Sequence, residues 1–102
     1  MSRERVCRLD ELVLGKGREF VVAGRVLAVF RLETGVSIIE GICPHAGGPL
    51  AQGYVRGDVV TCPWHGWQFN VSTGQHQLNP RMCVPTFPAI VDGDDVYVEI
   101  PA

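Results

Sequence analysis

Cys43-Pro44-His45, then sixteen residues (46–61), then Cys62-Pro63-Trp64-His65: this stretch decides how the chain is read. Two short loops each carry one thiol followed by one imidazole, in the same order. A matched pair of Cys/His loops is a device for holding metal between two fingers. Sulfur and nitrogen ligands in a tetrahedral set suit either zinc or the irons of an iron–sulfur cluster. Two thiolates with two neutral imidazoles carry a formal charge of −2, against −4 for four thiolates. A redox centre held this way accepts an electron more readily, because less negative charge opposes it.

Spacing separates the two metals. Zinc sites pair like ligands, as a Cys-x2–4-Cys knuckle or a His-x3–5-His helix. Here each pair is mixed, Cys-x-His and Cys-x2-His. That suits a two-iron cluster with one iron on both cysteines and the other on both histidines. A zinc-stabilised interaction domain is the bland alternative, and the spacing fits it poorly.

The rest of the chain sets the frame. Its 102 residues suit one domain over residues 1–102, with the cluster-binding part at about 42–83. It is 46% apolar and 20% charged, with net charge −2 and pI near 5.8. No basic stripe points to nucleic acid, and no apolar run is long enough to span a membrane. Met1-Ser2-Arg3-Glu4-Arg5 leads into polar sequence, so no signal peptide is expected. Nothing calls for disulfides among the four cysteines, and the expected location is cytoplasmic.

Glycines (12) and prolines (7) fall between short runs of Val, Ile, Phe and Tyr, which predicts an all-β chain. Expected strands are Arg5–Arg8, Glu19–Val22, Arg25–Leu32, Val36–Glu40, Val59–Cys62, Gln68–Asn70, Ala89–Val91 and Val96–Ile100. Ala23-Gly24, Glu33-Thr34-Gly35 and Gly93-Asp94-Asp95 are turn chemistry. Leu9–Leu12 reads as a single helical turn. Val96–Ile100 alternates as a half-buried strand does.

Cys43-Pro44-His45-Ala46-Gly47-Gly48-Pro49-Leu50, together with Cys62-Pro63-Trp64-His65-Gly66-Trp67-Gln68-Phe69, resembles the Rieske iron–sulfur proteins. Gly53-Tyr54-Val55-Arg56-Gly57-Asp58 is similar to that family's connecting hairpin. The resemblance extends over nearly the whole chain. It implies a Rieske fold of three small antiparallel sheets with a loop-rich cluster-binding subdomain, and one [2Fe–2S] cluster. It also implies Cys43 and Cys62 on the inner iron, with His45 and His65 on the outer iron at an exposed tip that meets partners. A proline-bearing loop covers the cluster in such relatives, a role that would fall to Asn79-Pro80-Arg81.

Departures from the family pattern carry information. High-potential Rieske proteins of respiratory complexes carry an extra cysteine in each loop, joined by a disulfide. The matching positions here hold Gly48 and Trp64. Those relatives also place Ser and Tyr hydroxyls near the cluster, where this chain has Trp67 and Phe69. Hydroxyl donors stabilise the charge added on reduction, so their absence lowers the potential. Gly47, Gly48 and Gly66 offset this in part, by letting backbone N–H groups approach and by adopting positive φ. The expected potential lies toward the low end of roughly −150 to +300 mV.

Other conspicuous residues receive plainer readings. Cys7 and Cys83 are expected to pack as small hydrophobes, Cys83 within a return strand. His76, in the polar run Gly74-Gln75-His76-Gln77, is expected to be solvated. Trp64 is expected to be partly exposed near the partner surface, and Asp94-Asp95 to be a turn. No catalytic residue independent of the cluster is found. The expected function is an electron carrier from an NAD(P)H-dependent flavoprotein reductase to a terminal oxygenase. The alternative is the small subunit of an assimilatory nitrite reductase, held on a large catalytic subunit.

Overall fold

Strand β3 (Arg25–Leu32) carries four consecutive buried residues, Leu27, Ala28, Val29 and Phe30. Side chains alternate along a strand, so such a run is buried on both faces. Leu27 and Val29 face one apolar cluster. Ala28, Phe30 and Leu32 face another. Its neighbour β4 (Gly35–Glu40) divides the same way, with Ile38 in the first cluster and Ile39 in the second. The sheet holding β3 is therefore a central layer with a separate core on each side.

The computed structural model describes residues 2–44, 47–64, 66–79 and 81–101. The central sheet has the order β2-β3-β4-β8, with β2 at Lys16–Val22 and β8 at Thr86–Phe87. On one side lies a sheet of β1 (Ser2–Arg8), β10 (Asp95–Ile100) and β9 (Ala89–Asp92), in the order β1-β10-β9. Val96, Val98 and Ile100 of β10 fill the first core with Cys7 and Leu12. On the other side, β5 (Tyr54–Arg56), β6 (Val59–Thr61) and β7 (Gln68–Asn70) form the third sheet. Val60 and Phe69 enter the second core beside Cys43 and Cys62. All strand pairs within these sheets are antiparallel.

The all-β expectation and its three small sheets hold, with instructive differences at the edges. β1 begins at Ser2 and β2 at Lys16, earlier than the apolar pattern predicts. Backbone pairing extends both: Ser2 to Glu4 pair with Ile100 to Val98, and Lys16 and Gly17 with Arg31 and Phe30. Gly17 has to be small, because a Cβ there would stand 2.5 Å from Phe30 Cε1. β8 was not among the expected strands; it lies between Pro85 and Pro88 and joins β4 through only Ile38–Phe87 and Ile39–Thr86. The short turn before β2 is a 3-10 segment at Leu9–Glu11, and its Glu11 carboxylate accepts the Arg8 N–H. Among the described residues no helix is long and apolar enough to cross a membrane.

Phe30 is fully buried between the central sheet and the cysteine-bearing core. Phe30→Ala should cost about 3–5 kcal/mol in urea unfolding. Val21→Ala, at an exposed position on edge strand β2, should change stability by no more than about 0.5 kcal/mol.

Candidate metal centre

The two Cys/His loops are built alike. In the first, Cys43 N–H donates to the Gly48 carbonyl at 2.9 Å. In the second, Cys62 N–H donates to the Trp67 carbonyl at 2.7 Å. Each bond therefore closes a loop onto the residue five positions on. Each loop also turns at a left-handed glycine four positions after its cysteine, Gly47 at φ 75° and Gly66 at φ 74°. A side chain in that region is strained, so glycine is required at both turns. Gly47 N–H returns to the Cys43 carbonyl at 2.9 Å and tightens the first loop further.

Both thiols are buried, and neither forms a disulfide. They come within hydrogen-bonding reach of each other at the base of the two loops, packed into the second core. Burial pushes the Cys62 thiol up from its ordinary pKa; a hydrogen bond from the Trp64 backbone opposes the rise, and the neighbouring Cys43 adds to it. The bare Cys62 thiol here resists ionising, whereas a bound cation would favour its thiolate.

Gly48 is also held to glycine, for a reason other than its φ. A Cβ at that position would lie 2.8 Å from Cys62 Sγ and 3.0 Å from Trp64 Cγ. The first loop thus lies directly on the second, with Trp64 against Gly48. Trp64 is nevertheless 50% exposed, as expected. His45 and His65 lie outside the described residues, as does Pro80 of the expected covering segment. Among the described residues no group of three or more metal-ligating side chains gathers. What is described fits a two-iron site of the mixed kind: two converging buried thiols, two glycine-bent loops and a backbone hydrogen bond to sulfur.

The profile of the Rieske [2Fe-2S] domain matches residues 2–88. The chain belongs to the Rieske [2Fe–2S] family. It is 35% identical over 95 residues to the ferredoxin component of the alkene monooxygenase system of Xanthobacter autotrophicus, covering 91% of this chain and 77% of that protein. Among solved structures it resembles a chain in the complex of reduced oxygenase and oxidized ferredoxin in carbazole 1,9a-dioxygenase. That match has TM-score 0.85 and 33% identity, and covers 94% of this chain and 91% of the other. It also resembles a putative NADH-dependent nitrite reductase small subunit from Mycobacterium tuberculosis, with TM-score 0.91 and 27% identity over 99% and 96% of the two chains. The Rieske chain spans only 24% of the cholesterol 7-desaturase of Caenorhabditis elegans, to which it is 31% identical over 104 residues and 91% of its own length. The cofactor of this family is a Rieske-type [2Fe–2S] cluster.

Two minor expectations are corrected. His76 is buried at 9% exposure rather than solvated. Its ring stands edge-on to Trp67 and Phe69, with centroids 4.8 and 5.2 Å away. Its Nδ1 accepts the N–H groups of Leu78 and Asn79. Cys83 is exposed rather than packed, and it makes only an isolated bridge with Gln75. Its neighbour Val84 points inward, so the alternation of an extended segment turns Cys83 outward. Cys7 is buried as expected, and burial, with Glu11 beside it, raises its thiol pKa.

Thiol accessibility can be read directly in the cluster-free protein. Iodoacetamide near neutral pH should modify Cys83 first, with Cys7, Cys43 and Cys62 lagging. Both burial and a raised pKa keep Cys62 from the reactive thiolate form. Raising the pH well past the ordinary thiol value should therefore speed Cys62 and Cys7 in proportion to thiolate formed. Peptide mass spectrometry against time would check both the order and the pH dependence.

Proposed function

We propose that the chain is an electron carrier in which Cys43 and Cys62 hold the inner iron, and His45 and His65 the outer iron, of one Rieske-type [2Fe–2S] cluster. The observation that carries this reading is the convergence of two buried thiols from two loops of the same build, in a chain of this family. When bound, the cluster takes up and releases one electron. The chain's residues supply the rest. The cysteine sulfurs anchor the site in the second core, away from water. The Trp64 backbone hydrogen bond to Cys62 favours negative charge on that sulfur. Trp64, half exposed beside the outer loop, offers an apolar contact for a transient partner of modest interface.

The partners we propose are an NAD(P)H-dependent flavoprotein reductase as donor and a terminal oxygenase as acceptor, with residues 1–102 acting as one cytoplasmic domain. Likeness to a ferredoxin component and to a chain of an oxygenase–ferredoxin complex supports this. A second reading, the small subunit of a nitrite reductase, is favoured by the TM-score of 0.91 to such a subunit. Co-purification with a large sirohaem protein would select it; turnover of an oxygenase with a flavoprotein reductase selects the carrier.

The protein as isolated should contain about two irons and two acid-labile sulfides per chain. His45→Ala or His65→Ala should abolish the Rieske absorption and electron paramagnetic resonance signals while circular dichroism keeps the β signature. A surviving signal in either variant would sink the ligand assignment.

Phe69 and Trp67 provide no hydroxyl to the cluster, and Phe69 is fully buried. The midpoint potential should accordingly fall below about +100 mV, in the lower part of the Rieske range. Spectroelectrochemical titration measures it, and a value well above that figure would remove the low-potential assignment.

A further inference from the structure

His76 is the one buried polar side chain among the described residues, and its position links two segments. Its backbone belongs to the edge beside β7: it bridges Phe69, and Gln77 N–H donates to the Gln68 carbonyl at 2.9 Å. Its ring stands edge-on to Trp67, whose carbonyl closes the second ligand loop. Its Nδ1 accepts the N–H of Leu78 at 3.0 Å and that of Asn79 at 3.1 Å. Because Nδ1 accepts twice, the ring hydrogen sits on Nε2. Asn79 then carries the path onward. Its carbonyl accepts Met82 N–H at 3.0 Å, and its Oδ1 accepts Arg81 N–H at 3.1 Å. The His76 N–H meets the Met82 carbonyl at 2.9 Å and closes the circuit.

Gly66 and Trp67 face Leu78, Asn79 and Met82 across a cleft of about 330 Å³, with His76 between the two walls. One wall is the second Cys/His loop, and the other is the segment hung on Nδ1. Leu78 is 88% exposed, so apolar packing does not hold that wall in place. Backbone hydrogen bonds hold Met82, and the imidazole holds the amides of Leu78 and Asn79.

We propose that His76 is a positioning residue for the cluster, its Nδ1 holding the amides of Leu78 and Asn79 in the outer wall of this cleft and limiting the water that reaches the second ligand loop. The inference rests on the ligand roles of Cys62 and His65 given above. Water near the cluster stabilises the negative charge gained on reduction, so solvent exposure moves the potential upward. The imidazole thus adds to the low potential that the missing hydroxyls already favour.

The test uses the full, cluster-loaded chain with His76→Phe and His76→Asn. Phe keeps a ring against Trp67 and Phe69 but has no acceptor. Asn gives up most of the ring but can present Oδ1 where Nδ1 stands. In H76F, amide hydrogen exchange at Leu78 and Asn79 should quicken about fivefold, as loss of a hydrogen bond worth about 1 kcal/mol predicts. The midpoint potential should rise at the same time. H76N should restore both toward the wild-type values. Unchanged exchange and potential in H76F would overturn the proposal, as would an H76N variant that behaves like H76F. If H76F does not fold, H76N alone decides: retained protection and potential support the acceptor role, and their loss refutes it. Failure of the ligand reading looks different, since wild-type protein would then show no Rieske signal whatever the exchange at Leu78.

Discussion

Two thiols that must meet inside an apolar core constrain almost everything around them. Cys43 follows β4 and Cys62 follows β6, and each is pinned at its own amide by a hydrogen bond to the residue five positions on. A loop can close that tightly only by passing through a left-handed residue, hence Gly47 and Gly66. The two loops can then lie against each other only if one of them has no side chain at the contact, hence Gly48 beneath Cys62 and Trp64. Burial meanwhile penalises ionised sulfur. The same packing that gathers the thiols makes the empty site electrostatically unfavourable for thiolates and the loaded one favourable. Metal binding and local folding are thereby coupled.

The central sheet makes this arrangement affordable. Because β3 is buried on both faces, the core containing the thiols is distinct from the core under β1 and β10. Demands at the site, such as three obligatory glycines and a polar loop on top, do not propagate into the first core. Phe30 transmits support between them: it stands against Gly17 of β2 on one side and shares a cluster with Cys43 and Cys62.

Legibility in the sequence followed how local each determinant was. Arg25–Leu32 could be read to the residue, since its apolar run is bracketed by the turn chemistry of Ala23-Gly24 and Glu33-Thr34. The family was legible because the paired Cys/His loops put particular side chains at particular spacings. Thr86–Phe87 was not, because two residues between prolines hold no periodicity and their pairing depends on β4 being presented to them. His76 was misread for a related reason. Gln75 and Gln77 on either side are exposed, and burial comes from Trp67 and Phe69, which are distant in the polar pattern. A signal was present nonetheless: a histidine two and three residues ahead of Leu78 and Asn79 can accept their amides, as an aspartate or asparagine does in a turn. Cys83 needed only the inward Val84 beside it to be placed outward.

Taken together, these features describe a chain that tunes its centre by subtraction and by one addition. Gly48 lets Trp64 lie against the first loop, since a Cβ at that position would stand 3.0 Å from Trp64 Cγ. With no hydroxyl at Trp67 or Phe69, the hydrogen-bond partners described at Cys62 sulfur are the Trp64 backbone N–H and the Cys43 thiol. Both changes disfavour the reduced state or leave its loops freer, which suits donation of electrons to an acceptor of higher potential. Freer loops also admit water, and water opposes the first change by stabilising reduced charge. A buried imidazole that accepts two amides from the flanking segment resolves that conflict without a covalent bond, because it restrains the outer wall and adds no donor directed at sulfur. The restraint proposed for His76 and the expected low potential would then be two consequences of the same set of residues.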